Sequence, residues 1–234
     1  MPEISAQLLM AELPDISHII TEDDEPVDNW FSEKQQRLLA ESLNSSWKPG
    51  RLFIAAANVG IFYAVHQPPI VPDMFLSLDV QLADNIWEKR HRSYFLWEFG
   101  KPPEVVVEIV SNTKGGETDS KFRKYAQMGV AYYIILDPQQ VVQKNVLRIY
   151  ELTAGGYIPK IDRHLTHIRL GVTLWRGIFE GADDLWLRWC DAEGNLIPTG
   201  IERAESAEKE VHLAQERAEK LAEKLRLMGI DPDL

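Results

Sequence analysis

A single cysteine, Cys190, stands among 234 residues. One thiol makes no intramolecular disulfide and supplies no cysteine zinc site, and it fits a reducing, cytoplasmic compartment. No apolar run approaches the roughly 20 residues that cross a bilayer, so no membrane partner is expected. The opening stretch MPEISAQLLMAELPDIS lacks the basic start and apolar core of a secretion signal. Internal repeats are absent, and so are low-complexity tracts apart from a charged segment near the C-terminal end. His164 and His167 lie three apart, but a metal pair needs further ligands near them; they read as surface histidines.

Basic residues are missing from one region in particular. Residues 1–33 hold nine acids and no Lys or Arg, and residues 202–234 hold nine acids against six bases. The body between them carries 18 acids and 19 bases, so the net charge of −11 sits in the ends. A near-neutral body has room for a basic cleft, and charge alone neither supports nor excludes DNA.

What is present divides the chain into three parts. Residues 1–29, with Pro14, Pro26 and the block Glu22-Asp23-Asp24-Glu25, read as a weakly ordered acidic leader, or as an arm that covers a basic cleft. Residues 30–200 carry the patterns of one α/β domain, and 201–234 a charged helix. The domain opens with a helix for which Ser32 is a candidate N-cap and Leu38, Leu39 and Leu43 the apolar stripe. Strands follow over 52–57, over 61–65 (a possible partner of the first) and over 70–78, where Pro72 argues for a strand start or edge. Residues 85–101 interleave Trp87, Tyr94, Phe95, Trp97 and Phe99 with Lys89, Arg90, His91, Arg92 and Lys101. That composition suits phosphate contacts and base stacking, and equally a hairpin covering a sheet edge or a dimer surface. Further on, 146–152 reads as a strand turning through Ala154-Gly155-Gly156, and 170–179 and 185–190 as short apolar stretches.

The most informative stretch runs from Glu104 to Pro138. Val105, Val106, Val107, Ile109 and Val110 form a β-branched run broken only by Glu108, as in a central strand covered on both faces. A polar turn over 111–116 follows, then a helix starting near Thr118 or Asp119 and closed by Gly129, then a strand over 132–136. This is the length of a right-handed β-α-β crossover. A carboxylate inside a valine run is costly unless it is paired, so Glu108 calls for a reason. With Asp73 on a neighbouring strand it offers two oxygen ligands to a hard cation, Mg²⁺ or Mn²⁺. Lys121 on the following helix then serves to orient water or to offset charge on phosphorus. Asp, Glu, Lys and a divalent cation suffice for phosphodiester hydrolysis. The structural alternative is a Glu108–Lys121 ion pair with Asp73 as a capping residue.

Pro72-Asp73, Glu108 and a downstream lysine resemble the PD-(D/E)xK signature of restriction-endonuclease-like nucleases. EVVVEIVS…K…Y…GV…YYIILDP resembles more closely the Uma-type family of bacterial endonucleases, over roughly residues 33–190 with a core at 72–138. The resemblance implies a restriction-endonuclease-like mixed sheet flanked by helices and metal-dependent cleavage of DNA. It also implies frequent dimers. The general signature places its lysine two residues after the Glu, where this chain has Val110. The Uma-type pattern takes it from the next helix, four residues before a Tyr; here these are Lys121 and Tyr125. Lys124 lies about 300° round the helix from Lys121 and has no such match. The resemblance also implies an acidic or amide residue from the first helix near the metal, for which Glu33 and Gln36 both qualify. A non-catalytic binding module on the same fold is the alternative function.

From Ile201 to Met228 the sequence is helical, without Pro or Gly. Ala204, Ala207, Val211, Ala214, Ala218, Leu221, Leu225 and Met228 recur at alternating steps of three and four, a heptad seam of about three and a half repeats. It is expected to pack on its own chain or to pair with a second protomer as a homodimer; residues 85–101 are the other candidate dimer surface.

Overall fold

The computed structural model describes residues 29–111, 120–228 and 231. The acidic leader up to residue 28, the turn after Ser111 with the proposed caps Thr118 and Asp119, and the helix stop around Gly229 lie outside these residues.

Helix α1 (Trp30–Ser46) buries Leu38, Leu39 and Leu43. Its N-cap is Asn29, not Ser32: the Asn29 side chain accepts the Ser32 N–H at 2.9 Å, and Ser32 is buried one turn inside. Strand β1 (Phe53–Ala57) follows, then β2 (Ile61–Phe62) and β3 (Met74–Leu78). The expectation that the second strand pairs with the first is corrected. Asn58 adopts a φ of 53° and turns the chain out of the sheet. β1 then pairs antiparallel with β3, and β2 pairs parallel with β4 (Tyr94–Phe95).

Residues 85–101 form no hairpin. A 3-10 turn over Lys89–His91 leads into β4 and a one-turn helix, α2 (Leu96–Phe99). The aromatics divide between inside and outside. Tyr94 is buried, stacks on Phe99 at 4.4 Å and shares a 2.8 Å hydrogen bond with the Ser77 hydroxyl, whereas Trp87 and Trp97 are exposed.

The β-α-β crossover is β5 (Val105–Ile109), α3 (Phe122–Met128) and β6 (Tyr132–Leu136), with β5 and β6 parallel. Gly129 ends α3 at a φ of 86°, a left-handed conformation that glycine adopts without cost. β7 (Leu147–Thr153) and β8 (Gly156–Lys160) complete a six-stranded mixed sheet of order β1-β3-β5-β6-β7-β8.

Alternation along the strands sends Val105, Val107 and Ile109 to one face and Val106 and Val110 to the other. The first face is covered by α1 and by a second, antiparallel sheet of β9 (His164–Leu165), β10 (Leu170–Phe179) and β11 (Ala182–Cys190). That second layer goes beyond the helices expected from the sequence. The other face packs against α3 and the β2–β4 segment through Tyr125, Val130, Tyr133 and Ile61. The chain ends in α4 (Gly200–Leu227). Among the described residues no helix is long and apolar enough to cross a membrane.

Candidate active site

β3 and β5 run antiparallel with Met74 opposite Val107, so one further step of the register sets Asp73 opposite Glu108. Facing residues on neighbouring strands stand about 5 Å apart at Cβ. On the far side of β3, the Asn58 N–H donates to the Asp73 carbonyl at 3.2 Å, which extends the row to β1. Asn58, Asp73 and Glu108 thus line one end of the sheet because strand pairing puts them there.

Glu108 is 2 % exposed. Its carboxylate accepts the Lys121 ammonium at 2.8 Å on Oε2 and the Tyr125 hydroxyl at 2.6 Å on Oε1. Lys121 stands immediately before α3 in helical conformation, and Tyr125 follows four residues later, so both project from one side of the helix toward β5. Burial raises the Glu108 carboxyl to about 8 from an ordinary 4.5; Lys121 opposes that shift and the nearby Asp73 charge adds to it. The Tyr125 phenol is raised well above its ordinary 10, by burial and then by the Glu108 charge.

Asp73 is held from two sides. The Ile109 N–H donates to Oδ2 at 2.6 Å, and Gln36 Nε2 donates to Oδ1 at 2.9 Å. Gln36 Oε1 in turn accepts from Asn58 Nδ2 at 2.8 Å. Because Asp73 accepts and the Asn58 amide donates, the Gln36 amide has one orientation that serves both.

The structure therefore brings together five of the residues singled out in the sequence: Asp73, Glu108, Lys121, Tyr125 and Gln36. Of the two first-helix candidates it places Gln36 beside Asp73, while Glu33 forms an exposed pair with Arg37 at 2.9 Å. Lys101 is not brought to the cluster. It lies at the other end of β5, where its ammonium bonds the Leu78 carbonyl at 2.8 Å and pairs with Glu104. Arg92 donates to the Trp87 carbonyl at 2.8 Å and Arg90 stands 3.9 Å from Glu98, so both engage their own segment; Lys89 is exposed beside them. His167 contacts Glu151 rather than a second histidine. Asn58 was missed. It lies in the short Asn-Val-Gly link between the stretches over 52–57 and 61–65, where an Asn before a Gly is an ordinary turn residue and carries no local sign of a site.

The donors fit a hard divalent cation. Two carboxylates face each other, the Gln36 amide steadies one of them and the Lys121 ammonium bonds the other, an oxygen-rich donor set of the kind hard cations prefer. Among the described residues no set of three His, Cys, Asp or Glu converges, so the remaining ligands of such an ion would be water or backbone oxygen.

Residues 15–171 match the sequence model of the Uma2 family, described as "Putative restriction endonuclease". No curated protein matches the chain. Among solved structures, one described as "a putative nuclease belonging to DUF820 from Anabaena variabilis ATCC 29413" aligns at 14 % identity and a TM-score of 0.42, over 66 % of this chain and 75 % of that one.

Proposed function

Because the chain belongs to the Uma2 family of restriction-endonuclease-like proteins, we propose that its Asp73–Glu108 cluster is the active centre of a Mg²⁺- or Mn²⁺-dependent endonuclease acting on DNA. The observation that carries this reading is Glu108 itself: a carboxylate raised to about 8 in the core, opposite a second carboxylate and beside one lysine. A divalent cation held between the two facing carboxylates would offset the repulsion that Asp73 adds at Glu108.

Asp73 and Glu108 would hold the metal. When bound, such an ion polarises a phosphoryl oxygen and lowers the pKa of a coordinated water. Lys121, partly exposed at the mouth of the cluster, orients the attacking water and offsets charge developing on phosphorus. Tyr125 fixes the Glu108 carboxylate through its hydroxyl, and Gln36, oriented by Asn58, does the same for Asp73. Lys89, Arg90 and Arg92 stay candidates for phosphate contact, and a steep salt dependence of DNA affinity is their signature.

The second reading is a binding module that keeps the fold without hydrolysis; the Lys121–Glu108 ion pair, already closed at 2.8 Å, favours it. Plasmid nicking by the purified chain with Mn²⁺ or Mg²⁺, beside Asp73→Ala and Lys121→Ala, separates the two. Metal-dependent nicking lost in both variants supports the endonuclease. Nicking that survives both sinks the site assignment, and a folded wild type that binds no metal and cuts nothing supports the module.

A further inference from the structure

Among the described residues, the contacts that hold helix α4 lie at its first turn. Thr199 and Glu202 form a reciprocal capping box at its start, and Glu202 receives the buried Arg188 guanidinium at 2.7 and 2.6 Å. The Gly200 N–H donates to Glu41 Oε1 at 2.7 Å, and Arg203 bonds the Ser45 carbonyl. Beyond that first turn no side chain of the helix is buried, although 28 residues extend about 42 Å. Along the seam, Val211 is 55 % exposed, Leu221 59 % and Met228 73 %. Packing of the seam on its own chain is therefore not realised among the described residues.

We propose that this seam pairs with the same helix of a second copy of the chain, in antiparallel orientation. Residue size sets the direction. The seam is small at the base (Ala204, Ala207) and large at the tip (Leu221, Leu225, Met228). Parallel pairing sets alanine on alanine at the base and leaves a hollow interface there. Antiparallel pairing sets Ala204 on the partner's Met228, Ala207 on the partner's Leu225 and Val211 on the partner's Leu221, so each small or middling residue of the outer layers meets a large one and only the central Ala214–Ala218 layers stay small. Flanking charge agrees, since Glu210 then falls opposite the partner's Lys224, twice by symmetry. The one like-charge contact, Arg217 with the partner's Arg217, lies at the solvent-exposed axis.

The body of the molecule supplies an independent reason. Gly200 points within about 40° of Ala204 and Ala207 on the helix wheel. It faces α1 closely enough that a Cβ there would stand 2.8 Å from Glu41 Oε1 and 3.6 Å from Ser45 Cβ. The folded body thus occupies the seam side of α4 at its base. A parallel partner would have to bring its own body to that same place, whereas an antiparallel partner carries it to the opposite end. The resulting dimer holds two cleavage domains apart along the helix pair instead of side by side.

The pairing does not depend on hydrolysis, so failure of the nicking assay leaves it untouched. Sedimentation velocity on the full chain is expected to give twice the 26.8 kDa monomer. Leu221→Asp with Leu225→Asp is expected to give monomer with unchanged thermal unfolding of the body, because neither side chain is buried in the single chain. A wild type that stays monomeric across the concentration range overturns the proposal. For direction, Ala207→Cys and Leu225→Cys chains are oxidised separately and mixed; Cys190 is buried and does not compete. Cross-linking in the mixture supports the antiparallel pair, and self-linking of Ala207→Cys alone overturns it.

Discussion

The charge cluster at the base of α4 and the one at the end of β5 behave oppositely. At the base of α4, Arg188 is buried with its guanidinium forked onto Glu202, bonded to the Ile197 carbonyl and lying 4.9 Å over the Trp175 ring. The hydrogen bond from Arg188, reinforced by the Thr199 backbone, holds the Glu202 carboxyl below its ordinary value. At the end of β5, Glu108 also has a cation at 2.8 Å, yet its carboxyl is pushed up. The difference is in the surroundings. Glu202 reaches solvent and faces a bidentate partner, whereas Glu108 is fully buried, receives one ammonium and one phenol, and faces Asp73. Asp137 marks a third case: it is buried too, but three backbone N–H groups, of Val141, Val142 and Gln143, satisfy it at 2.9 Å each. Buried charge alone therefore does not mark a functional site: backbone N–H groups satisfy Asp137 and a guanidinium fork satisfies Glu202, whereas Glu108 is set apart by the second carboxylate opposite it.

The sharpest way to separate the clusters is to neutralise each. Glu108→Gln keeps the shape and removes the charge. Nicking is expected to fall on the order of 10³-fold, about 4 kcal/mol in the barrier, while stability in urea at pH 8 stays equal or rises. A marked loss of stability would show Glu108 to be a structural ion-pair member like Glu202. Arg188→Ala is expected to do the reverse. It costs roughly 2 kcal/mol in urea unfolding by removing the buried guanidinium that ties Glu202, the Ile197 carbonyl and the Trp175 ring together at the base of α4, and it leaves metal affinity unchanged.

pH separates the two clusters by sign. Between about 4.5 and 8 the native state retains a proton on Glu108 that the unfolded chain has released, so metal-free stability falls as pH rises through that window. Glu202, with its carboxyl lowered, contributes stability above the ordinary carboxylate value and loses it as pH drops below that value. Thermal unfolding across pH 3–9 is expected to show both limbs, with the upper one abolished in Glu108→Gln; an upper limb unchanged in that variant would contradict the raised carboxyl.

Two smaller substitutions refine the site. Tyr125→Phe removes one donor from the Glu108 carboxylate and is expected to weaken Mn²⁺ binding about tenfold in calorimetry, with the fold kept. Glu33→Ala removes only an exposed pair with Arg37 and is expected to change stability by less than about 0.5 kcal/mol and nicking not at all. A strong effect at Glu33 would return it to the site in place of Gln36.

Much of this arrangement is legible in the sequence. The nearly continuous β-branched run identifies β5, Gly129 marks the end of α3, and the spacing of Lys121 and Tyr125 puts both on one side of that helix. What was not readable depended on contacts far apart in sequence. Glu33 and Gln36 have equal claims as residues of one helix, and only the position of Asp73, 37 residues beyond Gln36, separates them. Asn29 outcompeted Ser32 as the cap because Ser32 is drawn into the core. The aromatic segment over 85–101 has no periodicity to say which rings turn inward, and Ser77 and Phe75 on β3 select Tyr94.

Local chemistry, then, is written along the chain: which stretches extend, which coil, where they stop, and that a carboxylate stands in an apolar strand. These follow from backbone sterics and the period of side chains, which neighbours in sequence suffice to set. The assembly of the cluster is of another kind. The opposition of Asp73 and Glu108 is a consequence of strand register, and the raised carboxyl a consequence of burial beneath α3. The seam of α4 is left bare among the described residues because the contacts that anchor the helix, through Arg188, Glu41 and Ser45, all lie at its first turn. Each of these is a property of distance in space, and the sequence carries no local record of it.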